Sequence, residues 1–396
     1  MPSVTREMVT QYNTTQGGQI PDGLFIRDVP DFIKFMRRQD NPMLKLVPDG
    51  RERDKLKWEF GEGDLMPKID LTTASFTTTD TVINVTNQKY FQKYNLVRVP
   101  STGEQFLVVG FPSSSTIQVI RDWPTQDGVG SSTSGAVTLQ IIGVAMPEGA
   151  DAVESPINMG TIDWTAPEIM EYTWSHSHRG RNTPNYETKT DAFKAESAKK
   201  MKEAARDLNA LLLHGLRYLG SPGSQLPSTM GGLRQATNVY TKGMSSAPLY
   251  WIDMMTLMQT VYQDVGQSDM GKTLMGGMFA KRIFNSWFQK SRITNSTDSK
   301  LKLNWDSVET DFGVIKFVLN YECDDNELFL WNPPDTHLDH YKGGTWSTGL
   351  YSTKGWYDTG FVRGDYGAIW EAPRRRAYWS AFSVNPSDYP NLDVPV

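Results

Sequence analysis

The chain has 396 residues, enough for two or three compact units. Its 17 Phe, 16 Tyr and 12 Trp supply the aromatic area of real cores and exclude a globally disordered chain. A formal charge of −5 lacks the basic excess of a protein that tracks nucleic-acid backbones, and one cysteine, Cys323, excludes an intrachain disulfide and suits a reducing compartment.

Residues 1–30 are polar, rich in Gly, Thr and Gln, and carry the turn signal Pro21-Asp22-Gly23, so they read as an arm without a core of its own. Met1–Pro30 holds no apolar run of signal-peptide length and no stretch is long and apolar enough to span a bilayer. Neither secretion by that route nor a membrane span is expected. Phe32, Phe35 and Met36 share a face at i, i+3, i+4 and predict a short helix over 31–38. Asn41-Pro42 ends it, because the residue before a proline is pushed out of the helical region.

From Asp70 to Met146 the period changes to two. Val82, Asn84 and Thr86 alternate with Ile83 and Val85, Ile117 and Val119 alternate with polar partners, and Val137, Leu139 and Ile141 do the same. Turn signals separate these runs at Ser101-Thr102-Gly103, Pro112–Ser115 and Gln126–Gly135. Short alternating strands with such spacing predict a small β-sandwich or barrel-like module inserted at about 70–146.

The strongest helix signal runs from Asp191 to His214. Phe193, Met201, Ala205, Leu208 and Leu212 recur at helical spacing, while Lys199, Lys200, Lys202, Glu203 and Arg206 supply the solvated face. Asp191 is the expected N-cap and Gly215 the expected stop. After a Gly/Pro/Ser loop, two more helices are predicted. Pro248–Val265 carries Met255, Met258, Tyr262 and Val265 on one stripe, and Met278–Lys290 carries Phe279, Ile283, Phe284 and Trp287. Strands follow at Gly313–Tyr321, Glu327–Trp331 and Gly360–Val384. This order is α+β and not a regular βαβ repeat.

One motif points to nucleotide chemistry. Gly266-Gln-Ser-Asp-Met-Gly271-Lys272-Thr273 matches G-x-x-x-x-G-K-[ST], in which backbone amides and the lysine hold phosphates and the Thr hydroxyl binds Mg²⁺. That chemistry needs a buried strand before the loop and a helix after it. Here a helical stripe precedes the motif, and Gly276-Gly277 stands where the first helical turn belongs, so the match reads as a helix end followed by a loop. His176 and His178 could hold a metal, but no Cys or acidic cluster accompanies them, and a solvated strand is expected. Asp335, His337, Asp339 and His340 fall in a Pro-rich stretch read as an exposed loop. Cys323 is expected to be inert. Arg374-Arg375-Arg376 reads as a solvated face or an ion-pairing surface. Trp346, Trp356 and Trp370 have the stacking faces of sugar-binding residues, though core or interface roles are commoner. No catalytic, cofactor or metal site is assigned, and an enzyme is not expected.

Several segments, in order along most of the chain, resemble the major capsid proteins of tailed phages with the HK97-type fold, in the branch whose extended loop carries a β module. Pro30–Phe35, Asn41-Pro42-Met43 and Lys57-Trp58-Glu59 are similar to that branch's arm entering its extended loop, and Thr102–Val109 with Ile117–Arg121 to its inserted strands. Glu187–Gly215 is similar to its long spine helix, with the arginine-bearing Met230-Gly-Gly-Leu-Arg234 after it. Asp311–Val314, Glu327–Trp331, Asp358-Thr-Gly360 and Tyr366–Glu371 are similar to its axial and peripheral domains. The resemblance implies an N-terminal arm over 1–50, an extended loop with its β module over 51–190, and a spine helix with peripheral domain over 191–239. It implies an axial domain over 240–345 and returning strands with a tail over 346–396.

It also implies a structural protein of the virion head, assembled in the host cytoplasm as homo-pentamers and homo-hexamers into an icosahedral shell around double-stranded DNA. The implied partners are the chain itself, portal, scaffolding and decoration proteins, and packaged DNA contacted non-specifically, with no membrane and no cofactor. The alternatives are a tail, baseplate or other virion structural protein, and a P-loop NTPase acting through Gly266–Thr273.

Overall fold

The computed structural model describes residues 40–63, 65–123, 125, 130–158, 160–177, 179, 192–221, 226–266, 270–287, 307–351 and 356–389. The arm over 1–30, the helix expected over 31–38, His178, Asp191 and part of the Gly266–Thr273 motif lie outside them. The chain forms two compact units, one from Met1–Phe60 with Trp164–Val396 and one from Gly61–Asp163.

The second unit is a barrel. Six antiparallel strands pair in the order Ile69–Leu71, Thr138–Val144, Asn95–Arg98, Gln105–Ser113, Thr116–Ile120 and Val82–Asn84. A bridge between Thr72 and Val85 joins the last strand to the first, with the Thr86 N–H on the Leu71 carbonyl at 2.9 Å. This single bridge closes the sheet on itself among the described residues. The period of two places Ile83, Val85, Val97, Phe106, Val108, Ile117, Val119 and Leu139 inward, all nearly inaccessible. Gly103, at φ +80°, makes the turn expected at Ser101–Gly103.

In the first unit, a six-stranded sheet runs Tyr240–Gly243, Ala377–Ser380, Leu328–Trp331, Thr273–Gly276, Gly313–Leu319, Ser307–Thr310. Its central strand Leu328–Trp331 is buried at every residue and so reads as a continuous apolar run. Alternation sends Leu328 and Leu330 into one core and Phe329 with Trp331 into another. The neighbouring strand does the same with Leu274 and Met275. The first core is covered by the helices Trp251–Val265 and Met278–Trp287. The second is covered by the helix Ala192–His214, about 35 Å of rod for its 23 residues, through Leu208, Leu212 and Leu213.

A five-stranded sheet completes this unit. The strand Tyr357–Trp370 pairs with Glu168–Ser177 along one side, and with Ser347–Leu350 and Thr336–Tyr341 along the other. Asp49–Arg53 joins it parallel to Thr336–Tyr341.

The structure corrects several expectations. One element was not expected: Asn41 stands outside the helical region, and a helix, Pro42–Leu46, begins right after it, because proline at the first helical position gives up an N–H that has no partner there anyway. Met43 at its start is fully buried among Leu208, Leu212 and Met230. In the long helix Ala204, not Ala205, is buried. The next helix starts at Trp251, three residues later than expected, with Asp253 accepting the Tyr250 N–H at 3.2 Å. Its buried stripe is Met254, Met258 and Val261, with Tyr262 exposed, because those three side chains pack into the core with Leu274, Phe284 and Trp379. Asp335–His340 is no exposed loop, since Thr336–Tyr341 is a strand and Asp339 is buried. Gly360–Val384 divides at a 3-10 turn, Pro373–Arg375, into strands that belong to different sheets.

Candidate functional site

The motif over Gly266–Thr273 leads into a strand. Gly266, at φ +80°, closes the helix Trp251–Val265, and Thr273 opens the strand Thr273–Gly276, which runs parallel to Gly313–Leu319. No helix begins at Lys272-Thr273, where a phosphate loop needs one.

The other candidates resolve into structure. His176 lies one residue before the end of the strand Glu168–Ser177, its ring 6.4 Å from that of Phe193. Cys323 is buried, its thiol pushed well above the ordinary range by burial and by the carboxylates of Glu327 and Asp324. Arg374 pairs with Asp264 at 3.0 Å and Arg375 with Asp335 at 3.2 Å, while Arg376 is buried over the Trp370 ring. Trp370 is a core residue whose indole N–H reaches the Gly231 carbonyl at 2.8 Å. Trp346 packs on Tyr366, and Trp356 is exposed. Among the described residues no group of three or more His, Cys, Asp or Glu is placed to hold a metal, and no helix is long and apolar enough to cross a membrane.

Three polar constellations organise the molecule, and the sequence reading assigned none of them. In the barrel, Arg121 donates to Glu104 through Nε at 2.6 Å and Nη2 at 2.8 Å. Its remaining N–H groups reach the carbonyls of Thr77, Asp80 and Ser131, and its guanidinium lies 4.9 Å from the Phe76 ring. Both side chains are nearly inaccessible. The signal for this pair was available, because Glu104 is in phase with Phe106 and Val108, and Arg121 with Ile117 and Val119. A charge on an inward phase needs a partner.

In the first unit, Arg53 pairs with the buried Asp339. At the end of the long helix the chain turns through Gly215, and the Gly232 N–H bonds the Gly215 carbonyl at 2.8 Å. A Cβ at Gly232 would lie 2.6 Å from the Gly215 nitrogen, so the close approach of Met230–Arg234 to the helix end requires glycine. Arg234 then reaches Asp324 at 2.7 Å and Glu327 at 2.5 Å.

Beside that turn lies a groove of about 630 Å³, lined by Glu168, Asp207, Leu211, His214, Leu216 and Thr229 among others. Glu168 accepts the Met230 N–H at 3.1 Å, and burial raises its carboxyl above the ordinary range against that bond. Asp207 accepts from the Tyr172 hydroxyl at 2.9 Å, and Arg206 lies 3.4 Å from its other oxygen. Burial, then the Asp207 bond, raise the Tyr172 hydroxyl strongly.

Among solved structures the chain is similar to the capsid asymmetric unit of cyanophage A-1(L), with a TM-score of 0.53, 9% identity, and 92% of this chain and 98% of that chain covered. It is also similar to the capsid of Myoviridae phage XM1 (0.49, 11%, 92% and 99%) and of the native GTA particle (0.49, 8%, 93% and 98%). At these identities the likeness concerns the fold alone, and of these three only the first is strong enough to carry it. A search of curated proteins gave no match. The α+β fold is of the HK97-type capsid class. The chain belongs to the SU10 major capsid protein family, whose model matches residues 5–374. It is the major capsid protein of a phage head, a structural protein of the virion and not an enzyme.

Proposed function

We propose that the chain assembles as pentamers and hexamers into an icosahedral head that encloses double-stranded DNA. The observation that carries this reading is the family match across residues 5–374. The architecture supports it, because a subunit that must keep its shape in many environments needs a stiff body. Two cores that share the doubly buried strand Leu328–Trp331 supply one. Many contacts of standard size, each modest, then act together in a closed symmetric assembly.

In this reading the long helix Ala192–His214 is the spine, the five-stranded sheet the peripheral domain, and the six-stranded sheet with its two helices the axial domain. The barrel is an insertion in the extended loop that clamps neighbouring subunits. Portal, scaffolding and decoration proteins join the same shell, assembly takes place in the host cytoplasm, and DNA is met non-specifically by inner residues.

Negative-stain electron microscopy with sedimentation, over rising protein concentration, tests the reading. Closed shells tens of nanometres across, or stable pentamers and hexamers, are expected. Tubes or small rings would assign the chain to another part of the virion. A strict monomer, even with co-expressed scaffolding protein, would remove the shell reading.

A further inference from the structure

The groove beside the end of the long helix is one-sided in its hydrogen-bonding chemistry. Its floor is apolar, from Leu211, Leu216 and Met230, and Leu216 is 68% exposed. Its polar side chains are Glu168, Asp207, His214 and Thr229. The donors among them are spent elsewhere. The Thr229 hydroxyl donates to the Leu216 carbonyl at 2.6 Å. His214 Nε2 lies 2.7 Å from the Glu322 carbonyl, so it carries the proton and leaves Nδ1 to accept. Glu168 takes the Met230 N–H on Oε2, and among the described residues nothing donates to Oε1. Asp207 takes the Tyr172 hydroxyl on Oδ2 and meets Arg206 at 3.4 Å on Oδ1.

The electrostatics have the same sense. Burial raises the Glu168 carboxyl above its ordinary range, and what opposes this is the Met230 N–H and not a cation. The Tyr172 hydroxyl is pushed up by burial and then by the carboxylates of Asp207, Glu168 and Glu203. A half-buried carboxylate without a cation is costly, and a ligand that brings one removes part of that cost.

Such a lining excludes anions and calls for a group that only donates. An ammonium has three donors and no acceptor. Methylenes between two ammonium groups suit the apolar floor, as the stems of lysines lie along apolar surface. The groove, at about 630 Å³, is of the size that takes small molecules. A molecule with two ammonium groups meets both carboxylates at once, whereas a lysine side chain of a partner offers one.

We propose that this groove binds a free aliphatic diamine or polyamine, its ammonium groups on Glu168 and Asp207 and its methylenes on Leu211, Leu216 and Met230. The site belongs to the folded subunit, so the inference goes beyond the shell reading and does not depend on it.

Calorimetric titration of the full chain with putrescine at low salt tests this. Saturable binding is expected, weaker for butylamine and absent for butanediol. Glu168→Gln and Asp207→Asn keep acceptors for the Met230 N–H and the Tyr172 hydroxyl and remove the charges, so each weakens binding about tenfold. No binding of putrescine, equal binding of the diol, or unchanged affinity in both variants overturns the proposal. Tighter binding of an acetyl-lysine amide would assign the groove to a protein partner's lysine and overturn it as well. A second measurement needs no variant. Wild-type protein is treated with carbodiimide and a small excess of putrescine and read by mass spectrometry. Adducts are expected on Glu168 or Asp207 ahead of the more exposed Glu59 and Asp324. Adducts that follow exposure alone count against the site.

Discussion

Arg53 and Asp339, 286 residues apart in sequence, form an ion pair in which the Arg53 Nε–H donates to Asp339 Oδ2 while the Arg51 N–H donates to Oδ1 at 3.0 Å. Their side chains are 15% and 3% exposed, so the carboxylate has little water to turn to if the arginine is lost. Gly50 belongs to the same contact, because a Cβ there would overlap Asp339 Oδ1. Arg53→Ala is expected to cost about 3 kcal/mol in urea unfolding of the subunit. Gly50→Ala is expected to destabilise as well, and the double variant to lose less than the sum of the two, since both act on one carboxylate.

The barrel's buried pair makes a second prediction. Glu104→Ala strands the Arg121 guanidinium and is expected to cost about 3 kcal/mol or more. Replacing both residues by apolar ones does not restore stability, because the carbonyls of Thr77, Asp80 and Ser131 lose their donor as well. Limited proteolysis should show new cuts near 76–80 and 130–133, which the arginine holds together. An intact digestion pattern in Glu104→Ala would show that the pair does not hold these loops.

Stability should depend on pH through Glu168. Burial raises its carboxyl in the fold above its unfolded value, so the folded state binds the proton more readily. The cost of its charge is therefore absent at low pH and fully present once pH exceeds the folded value. Glu168→Gln keeps an acceptor for the Met230 N–H and removes the charge. Its melting temperature is expected to exceed that of the wild type at neutral pH, with the gap closing as pH falls through the carboxylate range. A gap that persists in acid would assign the effect to packing.

Lys272→Ala should leave assembly unchanged and reveal no lost nucleotide binding, since Thr273 opens a strand where a phosphate loop needs a helix. Calorimetric titration with ATP and Mg²⁺ checks this. Binding in the wild type that vanishes in the variant would reopen the NTPase reading.

Much of the fold was legible wherever a local period was strong. The barrel strands around Ile83, Ile117 and Leu139 show an alternation that only a pleated chain can use to bury one face. The helix Ala192–His214 shows its period over six turns. Boundaries and stripes were harder where two starts compete. Pro42 pushes Asn41 out of the helical region yet favours a helix after it, and packing against the core rather than a local period makes Met254 and Met258, and not Met255, the fully buried methionines of Trp251–Val265.

By itself the sequence determined the α+β order, the inserted β module and the long helix, because each rests on interactions between residues near in sequence. Its ordered resemblances also reached the capsid class. Tertiary structure alone decided that Thr72 and Val85 close the module into a barrel, that Leu328–Trp331 separates two cores, and that Asp339 is met by Arg53. It also decided that Glu168, Asp207 and Leu216 share one groove. These are pairings between distant segments, and what selects them is the burial of particular side chains against particular partners, which no local period records.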